Sequence, residues 1–318
     1  MACSTLGVEA TAARDARAEA LEWARKLRGP ECDVLILEPA PPAVAEPPWF
    51  ADREPGGERI VRPFGPAQMR WETLAAEEPA LRDWSQARWL GPWRRLDQLP
   101  QSYAATRDAL HALAEQVISP ARERANSKIG LRFTLGGFGT PFFGADAQVR
   151  VDGATLVVQE SGQARRAPLS SLGAAHEFLG ALAAPLENDR ELDIDGRSAQ
   201  ALGDLCGFAS SVLEELRADA RGLEPSRVQL WPEHFDTAVE LGSETAGQRA
   251  SYGVSPGDEN HPLPYLYVAP WGATPGGELW QAQGFAGAEL SYEQLLGASD
   301  QRRLALEFYR SRLADLAR

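Results

Sequence analysis

The order of predicted elements in the second half of this 318-residue chain repeats the order in the first half. A helix over 104–125 leads to the strand Ile129–Leu131, and a helix over 199–220 leads to Val228–Leu230, 99 positions further on. Such self-similarity at a fixed offset indicates an internal duplication. The strands follow one another too closely for helical crossovers, which favours antiparallel pairing and argues against a parallel Rossmann sheet.

The correspondence extends through both halves. The matched segments are Gly137–Thr140 with His234–Thr237, Gln148–Gly153 with Gln248–Gly253, and the closing helices Ser170–Ala184 with Tyr292–Ala317. We therefore predict an α+β fold. Two repeated helix–antiparallel sheet–helix units, 101–190 and 191–318, are expected to pair about a pseudo-twofold axis.

Residues 1–100 are predicted to form an irregular, Trp-rich N-terminal extension. Six of the nine tryptophans precede residue 94. Large aromatic side chains bury much area per residue, so they are expected to fix this segment to the body. The alternatives are a Trp-lined ligand groove, or an exposed contact surface formed by Trp84, Trp89 and Trp93.

The net charge and the positions of the cysteines restrict the classes of partner and the compartment that we expect for this protein. The net charge of −13 argues against nucleic acid or an anionic membrane as the main partner. Cys3, Cys32 and Cys206 are too scattered for a disulfide framework or a zinc cluster. No signal peptide or membrane-length apolar run is apparent, so a cytoplasmic protein is predicted. The sequence does not indicate the oligomeric state.

The segment Trp231–Glu240 carries the most suggestive side chains. As a strand, its side chains alternate between two faces. One face then holds His234, Asp236, Ala238 and Glu240, and the other holds Phe235, Thr237, Val239 and Leu241. An imidazole and two carboxylates on one face fit a ligand site or a metal site, and they are also typical of a solvent-facing strand. Comparison with Phe138 in the first half indicates that Phe235 is a core anchor.

One hypothesis is a divalent metal site in a metal-dependent enzyme. His234, Asp236, Glu240 and His261 are the candidate ligands, because imidazole and carboxylate groups bind such ions. The gap between Asp236 and His261 is too short for a typical two-His, one-carboxylate iron triad. The alternatives are structural polar groups at a sheet rim, or a metal-free acid–base or binding role.

The leading hypothesis is a small-molecule pocket in the C-terminal half. The candidate ligand-binding residues are His234, Asp236, Tyr265, Tyr267 and Trp271. Tyr265, Tyr267 and Trp271 share one face of a predicted strand, although such aromatic stripes more often belong to a core. The preceding loop, Ser255–Pro264, could cover a ligand, because binding residues favour loops held by a scaffold. The remaining alternative is a non-catalytic structural or protein-interaction module.

Several catalytic motifs are missing from the chain. The glycine-rich segment Gly136–Gly144 has no Lys-Ser/Thr after its glycines, so it is no P-loop, and it indicates a bulged strand or a close backbone approach. G-x-S-x-G and H-E-x-x-H are also absent. His111 and His176 fall within predicted helices and are interpreted as packed or surface residues.

Several short segments together resemble an uncharacterised family of actinobacterial proteins. These are Ala105–His111, Ser119–Arg122, Ile129–Arg132, Gly136–Pro141 and Trp231–Asp236. The C-terminal part is also similar to a broader family with a domain of unknown function, through Phe235–Val239, Ser255–Asp258 and Pro264–Tyr267. The resemblance covers about residues 100–310. It implies no activity, so it assigns no catalytic residue.

Overall fold

The computed structural model describes residues 96–134, 136–141, 143, 147–160 and 163–318. Residues 1–95 of the predicted Trp-rich extension, including Trp84, Trp89 and Trp93, lie outside these residues, as do Cys3 and Cys32. The described part combines helices with two antiparallel sheets, which confirms the α+β prediction.

Helices flank both sheets. They are α1 (Tyr103–Leu113), α2 (Ser119–Asn126), α3 (Leu172–Leu179), α4 (Gly196–Asp219), α5 (Tyr292–Gly297) and α6 (Gln301–Leu316). A π-helical turn, Ala114–Ile118, joins α1 to α2, and short 3₁₀ turns follow α3 and α4 at Gly180–Leu182 and Arg221–Leu223. Within the described residues, no helix is both long enough and apolar enough to cross a membrane.

Each sheet is a five-stranded meander in which neighbouring strands follow one another along the chain. The first contains β1 (Arg132–Thr134), β2 (Gly137–Gly139), β3 (Gln148–Asp152), β4 (Thr155–Glu160) and β5 (Gln163–Pro168). The second contains β6 (Gln229–Trp231), β7 (Asp236–Leu241), β8 (Ala250–Ser255), β9 (Tyr265–Pro270) and β10 (Ala288–Ser291). All pairings are antiparallel, as the short connections predict.

Two sequence correspondences differ from the structure. Gly153 lies in the predicted turn between β3 and β4, with φ of 58°, whereas Gly253 lies inside β8. Both segments contribute the third strand of their sheet, but the predicted residue-by-residue match, which pairs Gly153 with Gly253, is wrong. The single helix predicted over Tyr292–Ala317 is two helices, because Ala298 is extended and the Asp300 side chain caps α6 at the backbone N–H of Arg303.

The two sheets meet where β1 and β6 begin. Leu131 and Leu230 exchange a reciprocal pair of backbone hydrogen bonds, each 2.8 Å from nitrogen to oxygen. Phe138 and Phe235 contact edge to face near this junction, with ring centroids 5.0 Å apart. Backbone pairing and aromatic packing therefore join the two meanders.

Helix α4 packs into both hydrophobic cores. Leu202 and Cys206 belong to the core of the first sheet, whereas Phe208, Val212 and Leu216 belong to the core of the second. One face of the second sheet closes that core with buried side chains. These are Val239, Leu241, Ala250, Tyr252, Val254, Leu266, Val268, Ala288 and Leu290. The opposite face, called here the outer face, carries Asp236, Glu240, Tyr265 and Tyr267 from the predicted site.

Candidate functional site

The segment Trp231–Glu240 is not one continuous strand. Strand β6 ends at Trp231, a turn covers 232–235, and β7 begins at Asp236. The prediction that His234 shares a strand face with Asp236 is therefore wrong, and His234 is exposed in the turn. From Asp236 onward the predicted alternation is present, with Asp236 and Glu240 on the outer face.

Phe235 sets the direction in which the chain enters β7. Its φ of 56° lies in the left-handed region, which is uncommon for a residue with a bulky side chain. The ring is buried, as predicted for a core anchor, and stacks on His111 at 5.0 Å with an interplanar angle of 4°. Nε2 of His111 lies 2.8 Å from the carbonyl oxygen of Pro232, so the turn is held from α1.

Asp236 is a buried carboxylate with two unlike oxygens. The residue is 6% exposed. The Tyr267 hydroxyl donates a hydrogen bond to Oδ2. Oδ1 is buried and has no hydrogen-bond partner among the described residues. A buried polar atom without a partner is costly, so Oδ1 indicates a place where a further donor would be stabilising.

Tyr267 reaches Asp236 by lying across β8. The register places Gly253 between the two strands, opposite Ala238 on β7 and Tyr267 on β9. A Cβ atom at Gly253 would lie 2.4–2.5 Å from three atoms of the Tyr267 ring and hydroxyl. Only glycine leaves this path open.

Burial dominates the ionisation of the pair. It raises the pKa of Asp236, although the Tyr267 hydrogen bond, the charge of His234 and the backbone N–H of Asp236 itself act to lower it. Burial also raises the pKa of Tyr267 well above its usual value, and the neighbouring Asp236 carboxylate raises it further. Tyr267 therefore remains a neutral hydrogen-bond donor across the physiological pH range.

Four more side chains complete a half-buried cluster beside Asp236 and Tyr267. The rings of Tyr265, Tyr267 and Phe285 lie 6.2–6.3 Å apart, centroid to centroid. His261 packs on Tyr265 at 4.7 Å, and its Nε2 lies 3.4 Å from Oε2 of Glu289. The Asp236 site, as named below, comprises Asp236, His261, Tyr265, Tyr267, Phe285 and Glu289.

Sequence reasoning missed Gly253, Phe285 and Glu289. Phe285 lies on the irregular connection between β9 and β10, where no periodicity reveals orientation. Glu289 faces Tyr267 because β10 pairs with β9 in that register. The alternation in Ala288–Ser291 was the available signal, since it places Glu289 and Ser291 on one face.

Trp271 and Glu240 lie away from the Asp236 site. Along a strand, four residues separate Tyr267 from Trp271 by about 13 Å. Trp271 is 51% exposed, its Nε1 donates to Oγ of Ser251 at 3.1 Å, and the Arg249 guanidinium lies 5.0 Å from its ring centroid. Arg249 also donates to Oε2 of Glu240 at 3.0 Å. These residues form a separate cluster around Arg249.

The structure does not bring the four predicted metal ligands together. Glu240 binds Arg249, His261 neighbours Glu289, and Asp236 binds Tyr267. His234, exposed in the turn, acts on Asp236 through its charge. Across the described ranges, no group of three or more His, Cys, Asp or Glu side chains is arranged to hold a metal ion.

The loop 256–264 is tied to the first half of the molecule. The Tyr103 hydroxyl donates to the carbonyl oxygen of Pro256 at 3.2 Å, and Nη1 of Arg107 donates to that of Pro262, also at 3.2 Å. Within the loop, Oδ1 of Asp258 accepts from the backbone N–H of His261 at 2.8 Å. Helix α1 thus holds the loop that presents His261 to the Asp236 site.

Comparisons of the chain with protein-family models, with curated proteins and with solved structures find no match. The chemistry of the site therefore has to be derived from the residues of this chain. Those residues supply a buried acceptor, a neutral phenol donor and a cluster of aromatic rings. Small-molecule sites in proteins combine aromatic walls with a few placed polar groups of these kinds.

Proposed function

We propose that this protein binds a small molecule at the Asp236 site. The observation that carries the proposal is the buried Oδ1 of Asp236, which has no hydrogen-bond partner in the described part of the chain. Its neighbour Oδ2 is held by Tyr267, so the carboxylate is already oriented. A ligand donor at Oδ1 would remove the cost of leaving that atom unsatisfied.

The surroundings support the same proposal. Binding sites for small molecules combine aromatic or apolar walls with a few placed polar groups. Tyr265, Tyr267 and Phe285 supply the walls and remain half-buried rather than fully enclosed. His261 and Glu289 lie at the rim, on a loop and a strand that the rest of the fold holds in place.

Ligand-observed NMR with a library of small neutral, cationic and anionic polar compounds tests the proposal. We expect compounds whose saturation transfer is lost in Asp236→Asn and retained in Trp271→Ala. Both variants alter the outer face, but only the first alters the Asp236 site. The proposal fails if no compound distinguishes folded Asp236→Asn from the unaltered protein.

We also propose that the two halves arose by duplication, which makes the Asp236 site a feature of one copy. Arg132 follows Leu131 and pairs with Gly139, whereas Trp231 follows Leu230 and pairs with Asp236. Gly139 is thus the counterpart of Asp236. An experimental structure tests this proposal, because a twofold rotation should superpose the two meanders with Leu131 on Leu230.

The compartment and the family relationship stay proposals as well. Cys206 is free and buried, and burial raises the pKa of its thiol to about 12, so it is an unreactive core residue. This agrees with the proposed cytoplasmic location without establishing it. Membership of the actinobacterial family rests on the sequence resemblance alone.

A further inference from the structure

We infer that the ligand of the Asp236 site carries a primary ammonium group, which donates to Oδ1 of Asp236 and lies against the rings of Tyr265, Tyr267 and Phe285. This inference rests on the proposed function and specifies its chemistry. Three features of the site support it: the unsatisfied acceptor, the arrangement of the rings and the sign of the surrounding charge.

Oδ1 of Asp236 lacks a hydrogen-bond donor among the described residues, and the negative charge of the carboxylate is incompletely compensated. An ionised carboxylate accepts hydrogen bonds only, and Tyr267 supplies a neutral donor to one of the two oxygens of Asp236. Burial raises the pKa of this carboxyl, which reflects incomplete compensation of its charge. An ammonium group provides both the missing N–H donor and the opposite charge, and charge-assisted hydrogen bonds are the stronger kind.

The spacing of the rings leaves a common point within cation–π range of all three. The three centroids form a nearly equilateral triangle with sides of 6.2, 6.2 and 6.3 Å. A charge above the centre of that triangle would lie within about 6 Å of every centroid, the range in which cation–π attraction acts. The interplanar angles of 33°, 53° and 85° show that the rings do not stack flat on one another.

The local charge is negative. Burial is the main cause of the raised pKa of Tyr265. The charges of Asp258, Glu289 and Asp236 raise that pKa further. The guanidinium of Arg107, which reaches the same loop, is already paired with Asp108 at 2.8 Å. Three carboxylates beside one aromatic cluster favour a cationic ligand and oppose an anionic one.

Butylamine, butan-1-ol and butyrate provide a matched test, because they share one carbon skeleton and differ in charge. Titration of the full chain at pH 7, followed by ¹H–¹⁵N NMR, measures the dissociation constant of each compound. We expect butylamine to bind at least about tenfold more tightly than butan-1-ol, and butyrate not to bind. Shifts should centre on β7, β9 and the connection that carries Phe285.

Two variants test the contributions of the carboxylate and of the aromatic rings separately. Asp236→Asn should remove the preference for the amine over the alcohol, and Phe285→Leu should weaken amine binding severalfold while preserving the folded spectrum. Trp271→Ala, in the Arg249 cluster, should leave all three titrations unchanged. If Asp236→Asn does not fold, Phe285→Leu alone decides whether the ring cluster contributes.

The outcomes distinguish this inference from the proposed function. Equal binding of amine and alcohol, or tighter binding of butyrate, overturns the ammonium inference. The proposed function then stands if the compound library still yields ligands that depend on Asp236. Absence of amine binding together with an empty library screen overturns both.

Discussion

Gly253 determines whether Tyr267 can reach Asp236, since the tyrosine ring lies where any larger residue would project. We expect Gly253→Ala to displace Tyr267 and to lower the free energy of unfolding by about 1–3 kcal/mol. Urea unfolding measures the change. Gly276→Ala is the control, because no atom lies within 4 Å of a Cβ there. Equal effects of the two substitutions would contradict the packing argument.

The Tyr267 hydroxyl also keeps the pKa of Asp236 lower than burial alone would set it. Tyr267→Phe should therefore raise that pKa further and leave both carboxylate oxygens without a donor. The stability loss, about 1–3 kcal/mol, should be larger at pH 8 than at pH 5, because the cost appears as Asp236 ionises. Unfolding at both pH values, with Tyr265→Phe for comparison, tests this, and a pH-independent loss would argue against it.

Sequence alternation was sufficient to place Asp236, Tyr265 and Tyr267 on one face of their strands. It failed for His234, because Phe235 adopts a left-handed backbone that no glycine or asparagine marks in the sequence. Contacts between side chains on different strands could also not be predicted from the sequence. The pairing of Tyr267 with Gly253 and Glu289 depends on the strand register. Likewise, the side chain of Arg249 donates a hydrogen bond to Glu240 from outside the strand that carries Glu240.

At the scale of elements, α1 holds the loop that carries His261. Tyr103→Phe removes the hydrogen bond to the carbonyl oxygen of Pro256, so amide exchange in 256–263 should become faster. The expected loss of stability is about 1 kcal/mol. Hydrogen exchange measured by mass spectrometry reports the loop directly.

Tyr292→Phe is the matched control for this tether. Its hydroxyl donates to the carbonyl oxygen of Asp97 and not to the loop, and Tyr292 is similarly buried. We expect a comparable loss of stability without faster exchange in 256–263. Equal acceleration in both variants would show that the loop responds to global stability, not to the tether.

Helices were the most predictable elements. The apolar spacing in Leu202–Leu216 predicted α4 to within a few residues, because helices are built from local contacts. The break between α5 and α6 was missed, although Ser299 and Asp300 are typical residues before a helix start. The length of β7 was also misjudged, because a turn interrupts an apparently continuous alternation.

At the scale of the whole molecule, Glu214 on α4 is buried within reach of the charge of Arg132 in the first sheet. Burial raises its pKa to about 7, although the charges of Arg217 and Arg132 act to lower it. Below pH 4 the carboxyl is protonated in both the folded and the unfolded state. As pH rises towards 7, the unfolded state ionises first, so this group makes the protein less stable.

Glu214→Gln should remove that dependence. We expect the free energy of unfolding of the unaltered protein to fall by roughly 1–3 kcal/mol between pH 4 and pH 8 on account of this group. The variant should match it at pH 4 and exceed it at pH 8. Urea titrations across this range measure the difference, and parallel pH profiles would disprove the assignment.

The α+β class and the antiparallel sheets could be predicted because strand spacing alone excludes helical crossovers. The junction between the sheets could not. Leu131 and Leu230 occupy matching positions in the sequence, but nothing in an apolar residue reveals that it will pair with its own counterpart. Likewise, Leu202 and Leu216 look alike in the sequence of α4, yet they enter different cores.

The pairing of Leu131 with Leu230 also bears on self-association. An unpaired edge strand can recruit a second chain, and here the bridge between Leu131 and Leu230 covers the place where the edges of β1 and β6 meet. The remaining edges are poor templates. Strand β5 carries Arg165, Arg166 and Pro168, and β10 has only four residues before α5 begins. Opening the contact between the sheets would expose two inner edges at once, so we expect variants that break it to aggregate more readily.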